Sequence, residues 1–162
     1  MTMKIGFGYD THRFTEGDHI IIGGEKISFN QGIDAHSDGD VLLHAICDAL
    51  LGAASLGDIG KHFPATNPEF KDIESTSLLE NVVREVEKNS YTVGNVDSTI
   101  VLERPELAKH INAMQGNISK LLKIPINNVN IKATTNEGMG PIGRGEGVAV
   151  FVVATLLQQG TF

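Results

Sequence analysis

The longest apolar run of the chain, residues 148–157, is about half the roughly 20 residues that a membrane-spanning helix needs. It reads instead as a long strand, and what precedes it sets the architecture. Residues 4–14 read as a strand with polar side chains set into it. Ile20-Ile21-Ile22 and residues 26–29 flank Gly23-Gly24, a hairpin signal. Helical spacing of Val41, Leu42, Ala45 and Ala49 predicts a helix over 41–56, followed by a loop over 57–67. A second helix is expected over 76–88, with Leu79, Val82, Val83 and Val86 on its apolar side and a capping-box spacing at Ser77 and Glu80. Residues 93–103 form a strand with Val96, Ser98 and Ile100 on one side. Pro105 is placed to open a third helix, whose apolar side is Leu107, Ile111, Met114, Ile118 and Leu121. A strand over 129–135 and a glycine-rich loop over 136–147 lead to the last strand. Two helical crossovers closed by a β–β connection predict an α+β fold, a split βαβ-type mixed sheet with helices on one face. The other face then requires cover, which a homo-oligomer provides.

With 162 residues, the chain fits a single domain over 1–162. Its one cysteine, Cys47, cannot form an internal disulfide, which removes the secreted, cross-linked class, and reads as a small core residue. The start, Met-Thr-Met-Lys-Ile-Gly, has neither the apolar core nor the cleavage site of an export signal, so a reducing cytoplasm is the expected setting. A net charge of -7 argues against nucleic-acid binding, which wants a basic face. It does not exclude a phosphorylated small molecule, provided that cations are brought in locally.

Four clusters can carry chemistry. Asp10 and His12 are two apart in a strand, so their side chains share one face and can converge on an ion. His44, in the first helix, is the natural third donor. One carboxylate and two imidazoles suit zinc or a similar divalent ion and leave a fourth position for substrate. The plainer reading is a hydrogen-bonded aspartate, a half-buried histidine and a packed His44. The second cluster, Ala35-His36-Ser37-Asp38-Gly39-Asp40, stands directly before that helix, where hydroxyl and N–H groups favour an anion. Ser and Asp there are also ordinary caps.

The third is Ala133-Thr134-Thr135-Asn136-Glu137-Gly138, in which hydroxyls at a strand end can hold phosphate oxygens and Glu137 can take a hard cation such as Mg²⁺. A pair of strand formers followed by a turn explains it equally. Downstream, Arg144 and Glu146 look buried and able to pair with one another. The fourth is Leu56-Gly57-Asp58-Ile59-Gly60, where Asp58 reads as a turn former first and a polyol contact second. No glycine cluster matches a P-loop or dinucleotide fingerprint in context, so neither ATP nor NAD is indicated.

Residues 8–14, 35–40, 50–54 with 56–60, 133–135 and 143–147 together closely resemble the 2-C-methyl-D-erythritol 2,4-cyclodiphosphate synthase family, in order and over essentially the whole chain. The resemblance implies an enzyme of non-mevalonate isoprenoid biosynthesis, a phosphorus-oxygen lyase. It cyclises 4-diphosphocytidyl-2-C-methyl-D-erythritol 2-phosphate and releases CMP. It further implies a cytoplasmic homotrimer with sheets around a central cavity and active sites at subunit interfaces. By position, Asp10, His12 and His44 match the zinc ligands, and Glu137 the Mg²⁺ or Mn²⁺ ligand. His36 and Ser37 match phosphate and substrate contacts, Asp58 and Gly60 lie in the polyol segment, and Thr134 and Thr135 match the phosphate-binding strand end. Among these, His36 and Thr135 are the catalytic candidates.

The implied chemistry suits such residues. A phosphate oxygen of the substrate attacks its own β-phosphorus, so no strong base is required. The obstacle is repulsion between phosphates, each monoester carrying about -1.5 to -2, and cations offset it. Departures from the family pattern occur at Ala65 and Asn67, at Glu106 where lysine is common, and at Pro141 where an aromatic often lines the central cavity. Family members can hold a prenyl diphosphate there, with Arg144 meeting the diphosphate. Two other readings compete: a phosphohydrolase that activates water at an Asp-His-His site, and a non-enzymatic trimer that binds prenyl diphosphates.

Overall fold

The structure is a computed structural model that describes residues 2–158. The split βαβ-type expectation holds. A five-stranded mixed sheet has the order β4-β1-β7-β5-β6, built from β1 (Met3–Thr15), β4 (Gly32–Ile33), β5 (Tyr91–Val101), β6 (Val129–Thr134) and β7 (Gly147–Gln158). Among the described residues only β5 and β6 pair in parallel; β7 runs antiparallel to both β1 and β5. The long apolar run is thus the central strand. A separate hairpin joins β2 (His19–Ile22) to β3 (Glu25–Ser28) around Gly23-Gly24, both at positive φ as such a turn requires.

Helices α1 (Val41–Ala53), α3 (Ser75–Lys88) and α4 (Ile111–Leu122) cover one face, with α1 lying on β1 and β7 and α3 bridging α1 to α4. Between them, α2 (Ile59–His62) interrupts the segment expected to be loop, and α5 (Gly140–Gly143) does the same in the glycine-rich loop. The core lies between sheet and helices. Leu42, Ile46, Leu50, Leu79, Ile100, Met114 and Ile118 are all fully buried there, and so is Cys47. The other face of the sheet is apolar and open: Ile5, Phe7, Tyr9, Phe151 and Val153 are exposed. Tyr9 stands opposite Phe151, their rings 5.1 Å apart.

Three local expectations are corrected. Helix α3 begins at Ser75, so Ser77 lies inside it and forms no capping box; Glu74 at its N-cap makes no side-chain bond. Pro105 does not open the third helix, because a short 3-10 turn, Ala108–His110, intervenes before α4. Arg144 and Glu146 do pair, Nε to Oε1 at 2.7 Å, but both side chains are more than half exposed and the pair is not buried.

Candidate metal centre and its surroundings

The site is positioned by the way β1 meets α1. Even-numbered residues of β1 face the helices, and at two of them a side chain has no room. A Cβ on Gly6 would sit 1.8 Å from the Ala49 carbonyl oxygen, and one on Gly8 would sit 1.9 Å from that of Ala45. Two residues forward on the strand, about 7 Å, match four residues back along the helix, about 6 Å. Carried one step further, this track sets Asp10 and His12 beside the first turns of α1, where His44 projects.

The three side chains meet. Asp10 Oδ2 lies 3.1 Å from His12 Nε2 and 3.2 Å from His44 Nδ1, and the two ring nitrogens are 3.4 Å apart. All three residues are half-buried. Burial pushes the Asp10 carboxyl upward, but its bonds to His12 and His44 outweigh that and hold it at about 2. His12 shifts upward, chiefly through its bond to Asp10, against the opposing effect of burial. Among the described residues this is the one group of three or more such donors that could hold a metal ion. A carboxylate and two imidazoles that already face one another fit a divalent cation with a position left open for another ligand.

Around the triad, the 35–40 segment divides its labour. Asp40, fully buried, caps α1 by accepting from Leu43 N at 3.1 Å. It also accepts from both turn glycines of the hairpin, Gly23 N at 2.9 Å and Gly24 N at 2.7 Å. Burial raises its carboxyl to about 6, although the backbone bonds oppose the rise. Asp38 reaches the other way, taking the Ser75 amide on Oδ2 at 3.1 Å and the Ser75 hydroxyl on Oδ1. Two of the crowded acids are therefore structural. His36 and Ser37 instead line a cavity of about 220 Å³ with His12, His44 and Gly60.

Asp58, expected as a turn former first, is the N-cap of α2, its carboxylate accepting from Lys61 N at 2.9 Å. The next amide, that of Ile59, is held at 2.8 Å by Asp48 Oδ1 from α1. Asp48 thus ties the start of α2 to the helix that carries His44; its carboxyl is raised by burial.

Thr134 and Thr135 lie elsewhere, in a second cavity of about 390 Å³ that they share with Leu102, Glu103, Pro105 and Ala108. The two cavities have no lining residue in common. Glu137 is exposed at φ +51° on the following turn. Glu103 shapes that turn by accepting from the Asn136 amide at 2.8 Å and the Gly138 amide at 3.4 Å. Arg144 is beyond it, paired with Glu146. Asp48, Ser75 and Glu103 were not singled out from sequence. None stands in a motif, and each acts on a segment that only the fold brings near.

The YgbB family model matches residues 3–157. A curated 2-C-methyl-D-erythritol 2,4-cyclodiphosphate synthase from Methylococcus capsulatus is 57% identical over 156 residues, covering 96% of this chain and 99% of the relative. One from Pseudomonas aeruginosa is 56% identical over 97% of this chain and its own full length. Among solved structures, the bifunctional IspDF of Campylobacter jejuni superposes with a TM-score of 0.93 at 39% identity; the match covers 97% of this chain and 42% of that longer one. A CDP complex of Plasmodium falciparum IspF gives 0.86 at 31% identity, over 98% and 97% of the two chains.

Proposed function

The chain belongs to the YgbB family, whose curated relatives are 2-C-methyl-D-erythritol 2,4-cyclodiphosphate synthases, and from that membership we propose that it closes the cyclic diphosphate of isoprenoid biosynthesis. The substrate is 4-diphosphocytidyl-2-C-methyl-D-erythritol 2-phosphate: its 2-phosphate oxygen attacks the β-phosphorus, and CMP departs with the electron pair of the broken P–O bond. The observation that carries this reading is the convergence of Asp10, His12 and His44, whose ligand atoms all lie within 4.8 Å of one another beside the smaller cavity.

Asp10, His12 and His44 would hold a zinc-like divalent ion, and Glu137, a lone carboxylate suited to sharing a cation with substrate phosphates, a Mg²⁺ or Mn²⁺. Such ions supply positive charge that polarises phosphoryl oxygens and offsets their repulsion. His36 and Ser37 orient phosphate oxygens, while Asp58 and Gly60 face the polyol hydroxyls. Because the attacking group is already an anion, positioning by these side chains is the main requirement.

The separate cavities are accounted for by a homotrimer. Thr134 and Thr135 of one subunit would complete, with Glu137, the site built on Asp10, His12 and His44 of the next. The cytidine would lie along the Glu103–Ala108 stretch of the larger cavity, and the neighbour solved with CDP supports a cytidyl ligand. The apolar face around Phe7, Tyr9 and Phe151 would then be turned inward around a central cavity, with Arg144 available to a prenyl diphosphate there. A cytoplasmic setting suits the buried, unpaired Cys47.

Incubation with the cytidyl substrate, followed by ³¹P NMR, tests the assignment. CMP and a cyclic diphosphate are expected, and a chelator should suppress both. Orthophosphate or an open-chain diphosphate would show a phosphohydrolase instead.

A further inference from the structure

His44 has two ring nitrogens, and only Nδ1 faces Asp10 and His12. The other, Nε2, lies 2.8 Å from the Ser75 hydroxyl at the start of α3, with Ser37 Oγ a longer contact at 3.4 Å. Ser75 is fully buried and its hydroxyl also touches Asp38 Oδ1. The direction of these bonds follows from chemistry. An ionised carboxylate only accepts, so the Ser75 proton points to Asp38. The Ser75 oxygen is then left as an acceptor, and His44 must meet it with an Nε2–H. Nδ1 is consequently the nitrogen whose lone pair is free for a cation.

Asp38 is itself anchored. It accepts from the Ser75 amide at 3.1 Å and from the Asp40 amide at 3.2 Å, and so bridges the start of α3 to the start of α1. It supplies the side-chain acceptor at the first amide of α3 that Glu74, at the N-cap, does not. The partners come from two helices and the loop before α1, with Ser75 lying 37 residues from Asp38 and 31 from His44 in sequence.

We propose that Ser75 and Asp38 are positioning residues for the metal centre: the chain Asp38–Ser75–His44 fixes the imidazole plane and keeps its proton on Nε2, so that Nδ1 is presented to the cation. The proposal rests on the reading of Asp10, His12 and His44 as metal ligands. It assigns to Ser75 a duty distinct from starting a helix, since its backbone amide alone satisfies the bond that α3 needs. Partners of this kind behind a ligating histidine typically change metal affinity by 10–100-fold when removed.

The test compares Ser75→Ala with the wild-type chain and with His44→Ala. Zinc affinity is measured by competition against a chelator of known affinity, the His44 Nε2–H signal is followed in ¹H–¹⁵N spectra of the zinc-loaded protein, and metal-free stability is measured by urea. Alanine keeps the amide bond to Asp38 and suits the first helical turn, so the variant is expected to fold. Expected are a 10–100-fold loss of zinc affinity in Ser75→Ala and an Nε2–H that exchanges rapidly with solvent, against a slowly exchanging one in wild type. If Ser75→Ala loses only metal-free stability, with affinity and the Nε2–H signal as in wild type, the positioning role is overturned while the metal site stands. If wild type binds zinc no better than His44→Ala, the metal reading fails and takes the proposal with it.

Discussion

Asp40 grips Gly24: the carboxylate that caps α1 also takes the turn amide of the β2–β3 hairpin on Oδ2, at 2.7 Å, and so pins the hairpin to the helix that carries His44. Its other oxygen serves Gly23 and Leu43. Asp40→Asn leaves one oxygen to accept but turns an amide N–H toward the Gly24 N–H. A loss of about 1–3 kcal/mol is expected at pH 7, read from urea unfolding.

The same carboxyl predicts a pH dependence. Its folded value, about 6, lies above the ordinary 3.8, so the native state binds the extra proton between those values. Its contribution to stability is therefore fully present below about pH 4 and is lost as pH rises through about 6, an effect on the order of 3 kcal/mol. Subtracting the pH–stability curve of Asp40→Asn from that of wild type isolates it. A difference that grows as pH rises from 4 to 6 would contradict the assignment.

Gly8→Ala tests the β1–α1 track. The added methyl would meet the Ala45 carbonyl oxygen at 1.9 Å, backbone that cannot swing aside. Either α1 moves off the sheet or the chain fails to fold, and a loss of at least about 3 kcal/mol is expected. Because the same displacement separates His44 from Asp10, zinc affinity should fall with it. A variant within 0.5 kcal/mol of wild type, as an estimate of ordinary surface tolerance, would show that the close approach is dispensable.

Glu103→Ala removes the carboxylate that holds the Asn136 and Gly138 amides. The turn presenting Glu137 should loosen locally, by about 1–2 kcal/mol, with little change in global stability. Hydrogen exchange should accelerate at those two amides and not in β5 or β7. Unchanged exchange would mean that the turn holds its shape without Glu103.

Phe151→Glu tests the assembly that the proposed function requires. Phe151 stands in the middle of the open apolar face, against Phe7 and Tyr9. A charge buried there by self-association is costly unless paired. Light scattering after size exclusion should find a trimer in wild type and a monomer in the variant. A trimer that survives the charge would place the interface elsewhere.

The sheet and its helices were legible because their periods are strong, and Asp10 with His12 was legible because a strand repeats every two residues. The open apolar face was anticipated on the same grounds, from helices confined to one side. His44 could be joined to that pair only as a natural third donor; what brings it there is Gly6 and Gly8, whose tight fit against α1 no local pattern announces. Asp38 and Asp40 were readable as caps, and Asp40 is one. Their longer reach, to Ser75 and to the hairpin turn, depends on contacts between segments far apart in the chain. The start of α4 is not legible, because Pro105 suits a first helical turn yet lies ahead of a 3-10 turn here. Thr135 and Glu137 are legible as a strand end and a turn, but that Thr135 lines a cavity sharing no residue with the one beside His12 and His44 has no signature in sequence.

The central claim is that Asp10, His12 and His44 clasp one cation on which ring closure depends. Crystals of the protein grown with zinc and measured on both sides of the zinc absorption edge test it most directly. The account predicts an anomalous peak about 2.0–2.2 Å from Asp10 Oδ2, His12 Nε2 and His44 Nδ1, absent in His44→Ala crystals. No peak among these three atoms, in protein that still converts the cytidyl substrate to the cyclic diphosphate, would contradict it.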